Sequence, residues 1–219
     1  MTQLALLFDL DGTLIDSIDL LIQSMEFAFA DRTHRPTVAE WTAGIGKPLR
    51  VQVVEWAADA TDVETLVNQY REFQNLHLER LTTIYPHVLE TLAWAKQRGH
   101  LLGLVTSKGL GMTARSLSHV GLAGMFRVEV TVESTARHKP LPDPVLFALA
   151  QMQIPAGRAL FVGDSTHDMH AGSAAGVKTA AATWGPFSAN ELSPTGPTFW
   201  LNSMSDLKPI IESMERSAT

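Results

Sequence analysis

Leu4-Ala5-Leu6-Leu7-Phe8-Asp9-Leu10-Asp11-Gly12-Thr13-Leu14 is the stretch on which the fold of this 219-residue chain turns. Apolar residues from Leu4 to Phe8 run straight into two aspartates, and a short apolar run of this kind reads as a strand buried on both faces. The carboxylates therefore stand where the strand ends. Gly12 allows a sharp turn there, and the Thr13 hydroxyl beside an amide-rich turn is able to face an anion. Acids crowded at the mouth of a buried sheet repel each other unless a cation or a shared proton intervenes. An isolated Asp-x-Asp is as readily a capped turn. The full order of strand, acid pair, glycine and hydroxyl is more specific.

The length fits one large domain, or a core domain with a smaller one inserted. No apolar run approaches the ~18 residues of a membrane span. Asp9 and Asp11 interrupt an N-terminus that also lacks the basic start of a signal peptide. There is no cysteine, which excludes disulfides and thiolate metal sites. These features set the expectation of a cytoplasmic protein that meets no membrane. A formal charge of −6 argues against a nucleic-acid partner, which calls for clustered Lys and Arg. A small phosphorylated substrate remains compatible, because a metal ion and a few local cations can reverse the field inside a cleft. Nothing in the pattern separates a monomer from a dimer.

Along the chain, Ser17 reads as a helix cap, and the spacing of Ile18, Leu21, Ile22, Met25 and Phe29 predicts a helix over 17–31. Thr37 with Glu40 and Thr61 with Glu64 both match the capping-box pattern. Between them Gly44-Ile45-Gly46-Lys47-Pro48 forms a flexible turn. Val63, Leu66, Val67, Tyr70, Phe73, His77 and Leu81 trace one face of a long helix. Residues 16–85 thus read as helix throughout. Beyond them strands alternate with helices: strands over 101–105, 128–132, 159–162, 177–183 and 199–201, with a last helix from Ser205. This predicts an α/β fold, a doubly wound and mostly parallel sheet formed by 1–15 and 86–219, with an all-helical domain, 16–85, inserted after the first strand. Ligands in such sheets bind at the carboxyl ends of the strands.

The strand over 101–105 runs into Thr106-Ser107-Lys108, where a hydroxyl and the amides of the turn can hold phosphoryl oxygens or simply cap the next helix. Lys139 precedes prolines at 140, 142 and 144 that stiffen its loop, so its ammonium can neutralise an acid and a bound anion together. Asp143 reads as the cap of the following helix. The strand over 159–162 ends in Gly163-Asp164-Ser165-Thr166-His167-Asp168, again two carboxylates after a buried strand and an oxygen-rich setting that fits Mg²⁺. Asp168 also reads as an N-cap. His167 and His170 have a spacing that can bind transition metals, although the oxygen site already occupies that region.

In order, FDLDGTL, the hydroxyl of LVTSK, the lysine of HKPLPDP and the acids of GDSTHD resemble the motifs of the haloacid dehalogenase superfamily, mostly Mg²⁺-dependent phosphatases. The helical insertion is similar to its C1-type cap, and GIGKPL resembles the cap loop of phosphoglycolate-phosphatase-like members. The segment YPHV resembles a family YPGV, with His87 in place of glycine. The resemblance implies that Asp9 is the nucleophile and forms an aspartyl-phosphate, and that Asp11 is the acid and base. It implies that Asp9, Asp11 through its carbonyl, and Asp164 hold Mg²⁺, with Asp168 in support. Gly12, Thr106, Ser107 and Lys139 would bind the phosphate. Gly46 of the cap loop is a candidate for substrate specificity, and Lys47 and Arg50 after it can either reach a substrate's anionic tail or stand as solvated charges at a helix start. It also implies a cap that opens and closes near residues 16 and 85. An aspartate at position 11 disfavours dehalogenation. A β-phosphoglucomutase-type phosphomutase, an inorganic pyrophosphatase and a non-catalytic phospholigand-binding protein are the alternatives. Substrate identity resides in cap side chains whose directions depend on packing.

Overall fold

The apolar run of the N-terminus forms β1 (Ala5–Phe8), and the computed structural model, which describes residues 2–217, builds outward from it. After β1 come β2 (Ile15–Asp16), α1 (Ile18–Ala28), α2 (Val38–Ala43), α3 (Leu49–Val54), α4 (Ala60–His77) and β3 (Thr83–Ile84). Then α5 (Val88–Gln97), β4 (Leu101–Val105), α6 (Leu110–His119), β5 (Val128–Val130), α7 (Asp143–Met152) and β6 (Ala159–Gly163) alternate. The chain closes with α8 (Thr166–Ala174), β7 (Lys178–Ala182), α9 (Ala189–Leu192), β8 (Phe199–Leu201) and α10 (Leu207–Ser217).

The main sheet has 6 strands in the order β5-β4-β1-β6-β7-β8, every pair parallel. The two-residue period of a strand sends Leu6 and Phe8 to one face, where Val88, Leu92, Leu117 and Ile211 of α5, α6 and α10 meet them. Ala5 and Leu7 go to the other, against Val145, Leu149 and Ala171 of α7 and α8. Both faces are therefore dry, which is why β1 reads as an unbroken apolar run. No helix among the described residues is long and apolar enough to cross a membrane.

Helices α1 to α4 pack around their own core of Met25, Phe29, Trp41, Val53, Leu66 and Tyr70. Ile45, with Ile18 and Leu21 at its edge, joins them to the sheet side through Met169, Ala181, Phe187 and Leu192.

Several local expectations are corrected. The stretch 16–85 is not helical throughout: β2 and β3 pair antiparallel, Ile15 with Ile84 and Asp16 with Thr83, and the chain enters and leaves the helical part through this ribbon. Strands of two residues are too short to show a period. Ser17 precedes α1 but makes no capping bond, since its hydroxyl donates to Asp11 Oδ1 at 2.5 Å. Helix α4 is capped by Asp59, which accepts from the Asp62 amide at 2.9 Å, and not by Thr61. Helix α1 stops at Ala28, and β5 stops at Val130 because Val132 starts a 3₁₀ turn. Asp143 is the first residue of α7 rather than its cap, and its Oδ1 accepts from Arg137 Nε at 2.8 Å. Asp168 lies inside α8, whose N-cap is Ser165. The Thr37–Glu40 capping box is present.

His87 stands at the start of α5 with φ +65°, in the left-handed region that glycine occupies without cost. Relief of that strain, less the extra freedom glycine has when unfolded, gives about 0.5–1 kcal/mol in favour of His87→Gly. The expected outcome is a Tm raised by about 1–4 °C in a thermal melt; a lower Tm would show that the His87 ring contributes more than its backbone costs.

Candidate active site

Strand register decides which side chains meet. Phe8 lies opposite Leu104 and Val162, and the Asp9 amide still donates to the Val162 carbonyl at 2.9 Å. The residues just beyond all three strands, Asp9, Thr106 and Asp164, therefore emerge at one edge. That edge flanks β1, where the sheet order changes direction and doubly wound folds bind their ligands.

Lys139 is buried among these acids. Its ammonium donates to Asp168 Oδ1 at 2.6 Å, to the Val105 carbonyl at 3.3 Å, and lies 2.9 Å from Asp9 Oδ1. These contacts can use all its protons. Burial by itself would lower the lysine's pKa, but the Asp168 and Asp9 carboxylates outweigh it and hold the ammonium charged. Asp168 is locked in turn, because its Oδ2 accepts from the Ser165 amide at 3.1 Å and the Ser165 hydroxyl at 2.6 Å.

Asp9, Asp164 and Asp168 each bring a carboxylate oxygen within 4.8 Å of the others. One ammonium against these carboxylates leaves an excess of negative charge in a buried place. Burial pushes the Asp9 carboxyl up to about 7, with Asp168 adding to the shift and Lys139 opposing it. Burial and the neighbouring Asp168 and Asp9 charges push Asp164 well above the ordinary range. Asp164 Oδ1 accepts from Thr13 at 2.5 Å, so that hydroxyl faces a carboxylate and not an open anion site; Oδ2 is buried with no hydrogen-bond partner among the described residues. The space around Oδ2 is kept open by glycines. A Cβ on Gly12, at φ +81°, would lie 2.4 Å from it, and one on Gly185 2.7 Å. An orphaned buried oxygen, excess negative charge and an all-oxygen donor set together fit Mg²⁺.

Asp11 points elsewhere. Its Oδ1 accepts from Ser17 and from the Lys108 ammonium at 2.6 Å, and the Lys108 side chain is only 6% exposed. Lys108 is missed by the sequence reading, its one signal being that it follows Thr106-Ser107 at a strand end. The Gly12 amide donates to the Ile15 carbonyl at 2.9 Å, which closes the turn. Thr106 Oγ1 accepts from the Lys108 amide at 3.2 Å, and Ser107 Oγ donates to the Gly46 carbonyl at 2.6 Å. The Trp184 indole, also unmarked in the sequence, donates to the Thr13 carbonyl at 3.0 Å.

A cleft of about 570 Å³ separates Asp9, Asp11 and Thr106 from Trp41, Tyr70 and Gln74 of the insertion. Lys47 and Arg50 line it as well, each ion-paired: Lys47 with Glu55 at 2.6 Å, and Arg50 with Glu64, including Nη2 to Oε2 at 2.8 Å. Gly46, at φ +102°, brings the insertion against Ser165 and His167.

Residues 6–182 match the family described as haloacid dehalogenase-like hydrolase. Pyrophosphatase PpaX of Bacillus cereus strain Q1 is 36% identical over 215 residues, 96% of this chain and 97% of that protein. The crystal structure of a predicted phosphoglycolate phosphatase from Haemophilus somnus 129PT superposes with a TM-score of 0.86 at 25% identity, covering 96% of this chain and 99% of that one. A hydrolase from Pseudomonas syringae shares the fold, with a TM-score of 0.87 at 21% identity over 96% and 99% of the two chains.

The raised acids make a testable link to metal and pH. A carboxyl whose folded pKa lies above its unfolded value of about 3.9 contributes stability that is lost as pH rises towards the folded value, here about 7. Metal-free protein is therefore expected to lose stability over that interval, and Mg²⁺ to restore it at the upper end by neutralising the ionised carboxylates, whereas at the lower end it must first displace their protons. The Tm increase produced by Mg²⁺ should be larger at about pH 8 than at about pH 5.5 and should largely vanish in Asp164→Asn. An increase independent of pH, or unchanged in that variant, would place the metal elsewhere.

Proposed function

The chain belongs to the haloacid dehalogenase-like hydrolase family, and from that premise we propose that it is a Mg²⁺-dependent phosphatase of small phosphorylated metabolites, acting through an aspartyl-phosphate. The observation that carries this reading is the convergence of Asp9, Asp164 and Lys139 at one strand edge beneath a cleft. Asp9, Asp164 and the Asp11 carbonyl would hold Mg²⁺, which when bound supplies charge that offsets repulsion between the carboxylates and the phosphate.

In the first step an Asp9 oxygen attacks phosphorus, the bond to the leaving oxygen breaks, and protonated Asp11 gives that oxygen its proton. In the second, water attacks the same phosphorus and loses a proton to Asp11, and the bond to Asp9 breaks. The sum is one water consumed, one alcohol and one phosphate released. Thr106, with the amides of the turns after β1 and β4, would hold the phosphoryl oxygens as charge develops on them, and Lys139 would add its charge beside Asp9 and turn a proton towards them as Asp9 bonds phosphorus. The Lys139 contact to Asp168 sets where the ammonium points. Residues 16–85 would act as a cap hinged at β2 and β3, closing to exclude water. Substrates include 2-phosphoglycolate, and pyrophosphate is a second reading favoured by the Bacillus relative.

Asp9→Asn is expected to lower Mg²⁺-dependent phosphate release by about 10³-fold or more. Asp11→Asn should cost about 10²–10⁴-fold on an alkyl phosphate and much less on p-nitrophenyl phosphate, whose leaving group needs no proton. The check is steady-state phosphate release across 2-phosphoglycolate, pyrophosphate and hexose phosphates. Full activity in Asp9→Asn would remove the covalent mechanism, and isomerised hexose phosphate among the products would point to a mutase.

A further inference from the structure

We infer that the leaving group of the preferred substrate carries a second negative charge, and that Arg71 of α4 is the specificity-determining residue that receives it, together with Lys108. The inference rests on the phosphatase reading above and deepens it. If Asp9 attacks phosphorus and Asp11 protonates the leaving oxygen, the rest of the leaving group lies beyond Asp11, towards the insertion. The side chain found there is Lys108. Its ammonium has three protons, and only the Asp11 carboxylate accepts from it among the described residues, so two remain for substrate oxygens.

Across the cleft the cations differ in what they already hold. Lys47 and Arg50 are engaged by Glu55 and Glu64. Arg71 lines the same cleft with its side chain exposed and, among the described residues, makes no hydrogen bond or ion pair. Its charge is felt by Glu64 and Glu133, whose carboxyls it helps to hold low. Glu64 is committed to Arg50, and Glu133 to the Thr131 hydroxyl and Leu110 amide. A guanidinium in that position offers a planar fork that matches phosphate or carboxylate oxygens. The cleft as a whole is also out of step with the chain. The protein carries a charge of −6, yet the cleft is lined by Lys47, Arg50, Arg71 and Lys108 against Asp9, Asp11 and Glu133. With Asp9 facing a metal, Arg71 on the insertion side and Lys108 on the sheet side leave the leaving-group end of the cleft cationic, suited to a diphosphate or a phosphorylated carboxylic acid and poorly matched to a neutral or apolar leaving group.

The test compares kcat/KM for pyrophosphate, 2-phosphoglycolate and p-nitrophenyl phosphate in wild type, Arg71→Gln, Arg71→Lys and Arg80→Gln, all with Mg²⁺. Arg71→Gln should lower the ratio of the preferred dianionic substrate to p-nitrophenyl phosphate by about 10–100-fold, carried by KM rather than kcat, as expected for loss of one charge-assisted contact. Whichever of the first two substrates falls more identifies the second anion as phosphate or carboxylate. Arg71→Lys should recover part of the ratio. Arg80, exposed on the same insertion but outside the cleft, should give the wild-type ratio when changed to Gln. An unchanged ratio in Arg71→Gln, or an equal shift in Arg80→Gln, overturns this inference and leaves the phosphatase reading standing. Wild-type protein that hydrolyses none of the three overturns both.

Discussion

A single buried ammonium organises this molecule. Lys139 lies between Asp9 and Asp168 with Asp164 close by, and without it the carboxylates at the end of β1 and after β6 would face one another in a place that water barely reaches. Carboxylates so placed either take up protons or gather cations. Lys139 offsets part of the charge, and the remainder suits a divalent metal. The loop that delivers the lysine is stiffened by prolines, and the acid that aims it is held by the first turn of α8. The charge balance of the site thus depends on segments far apart in sequence being rigid at the same time.

The second constraint is the ribbon of β2 and β3. It begins within a few residues of Asp11 and is tied to the turn by the Tyr85 amide donating to the Leu14 carbonyl at 3.1 Å. Movement of the helical insertion would therefore be felt beside Asp11. Contacts between the two parts lie away from the ribbon as well: Ser107 to the Gly46 carbonyl, Arg115 of α6 to Asn75 and Glu79, and the His119 ring to the Thr82 carbonyl. Apart from the Arg115–Glu79 ion pair these are hydrogen bonds to neutral groups, individually weak. They add to the apolar junction of Ile45 with Met169, Ala181, Phe187 and Leu192.

Charge in the cleft between the two parts is mixed on one wall and basic on the other. The sheet side presents Asp9, Asp11 and Glu133 with Lys108 among them, and the insertion side presents Lys47, Arg50 and Arg71. A ligand carrying two separated negative charges would find acids that suit a metal at one end of the cleft and cations at the other. Tyr70, buried on that wall, is held neutral, because burial and then the Asp11 charge raise its phenol.

Much of this is legible in the sequence. Unbroken apolar runs such as Leu4–Phe8 can be buried only on both faces, and their alternation with helices leaves a parallel sheet as the arrangement that covers them. Acids, hydroxyl and lysine placed after such strands belong to one edge for the same reason. The rest was not legible because it depends on distance rather than order. Strands as short as β2 and β3 carry no period, and the caps of α4 and α8 depended on local geometry among several competing side chains. That Lys108 reaches Asp11, that Thr13 serves Asp164, and that among the described residues Arg50 of the cleft pairs with a carboxylate while Arg71 does not follow from packing between residues up to 151 positions apart. Composition and periodicity thus determined the sheet, its polarity and the edge on which chemistry would sit. Only the folded structure decided which charges neutralise one another, because ion pairing is set by separations of a few ångströms that no spacing along the chain encodes.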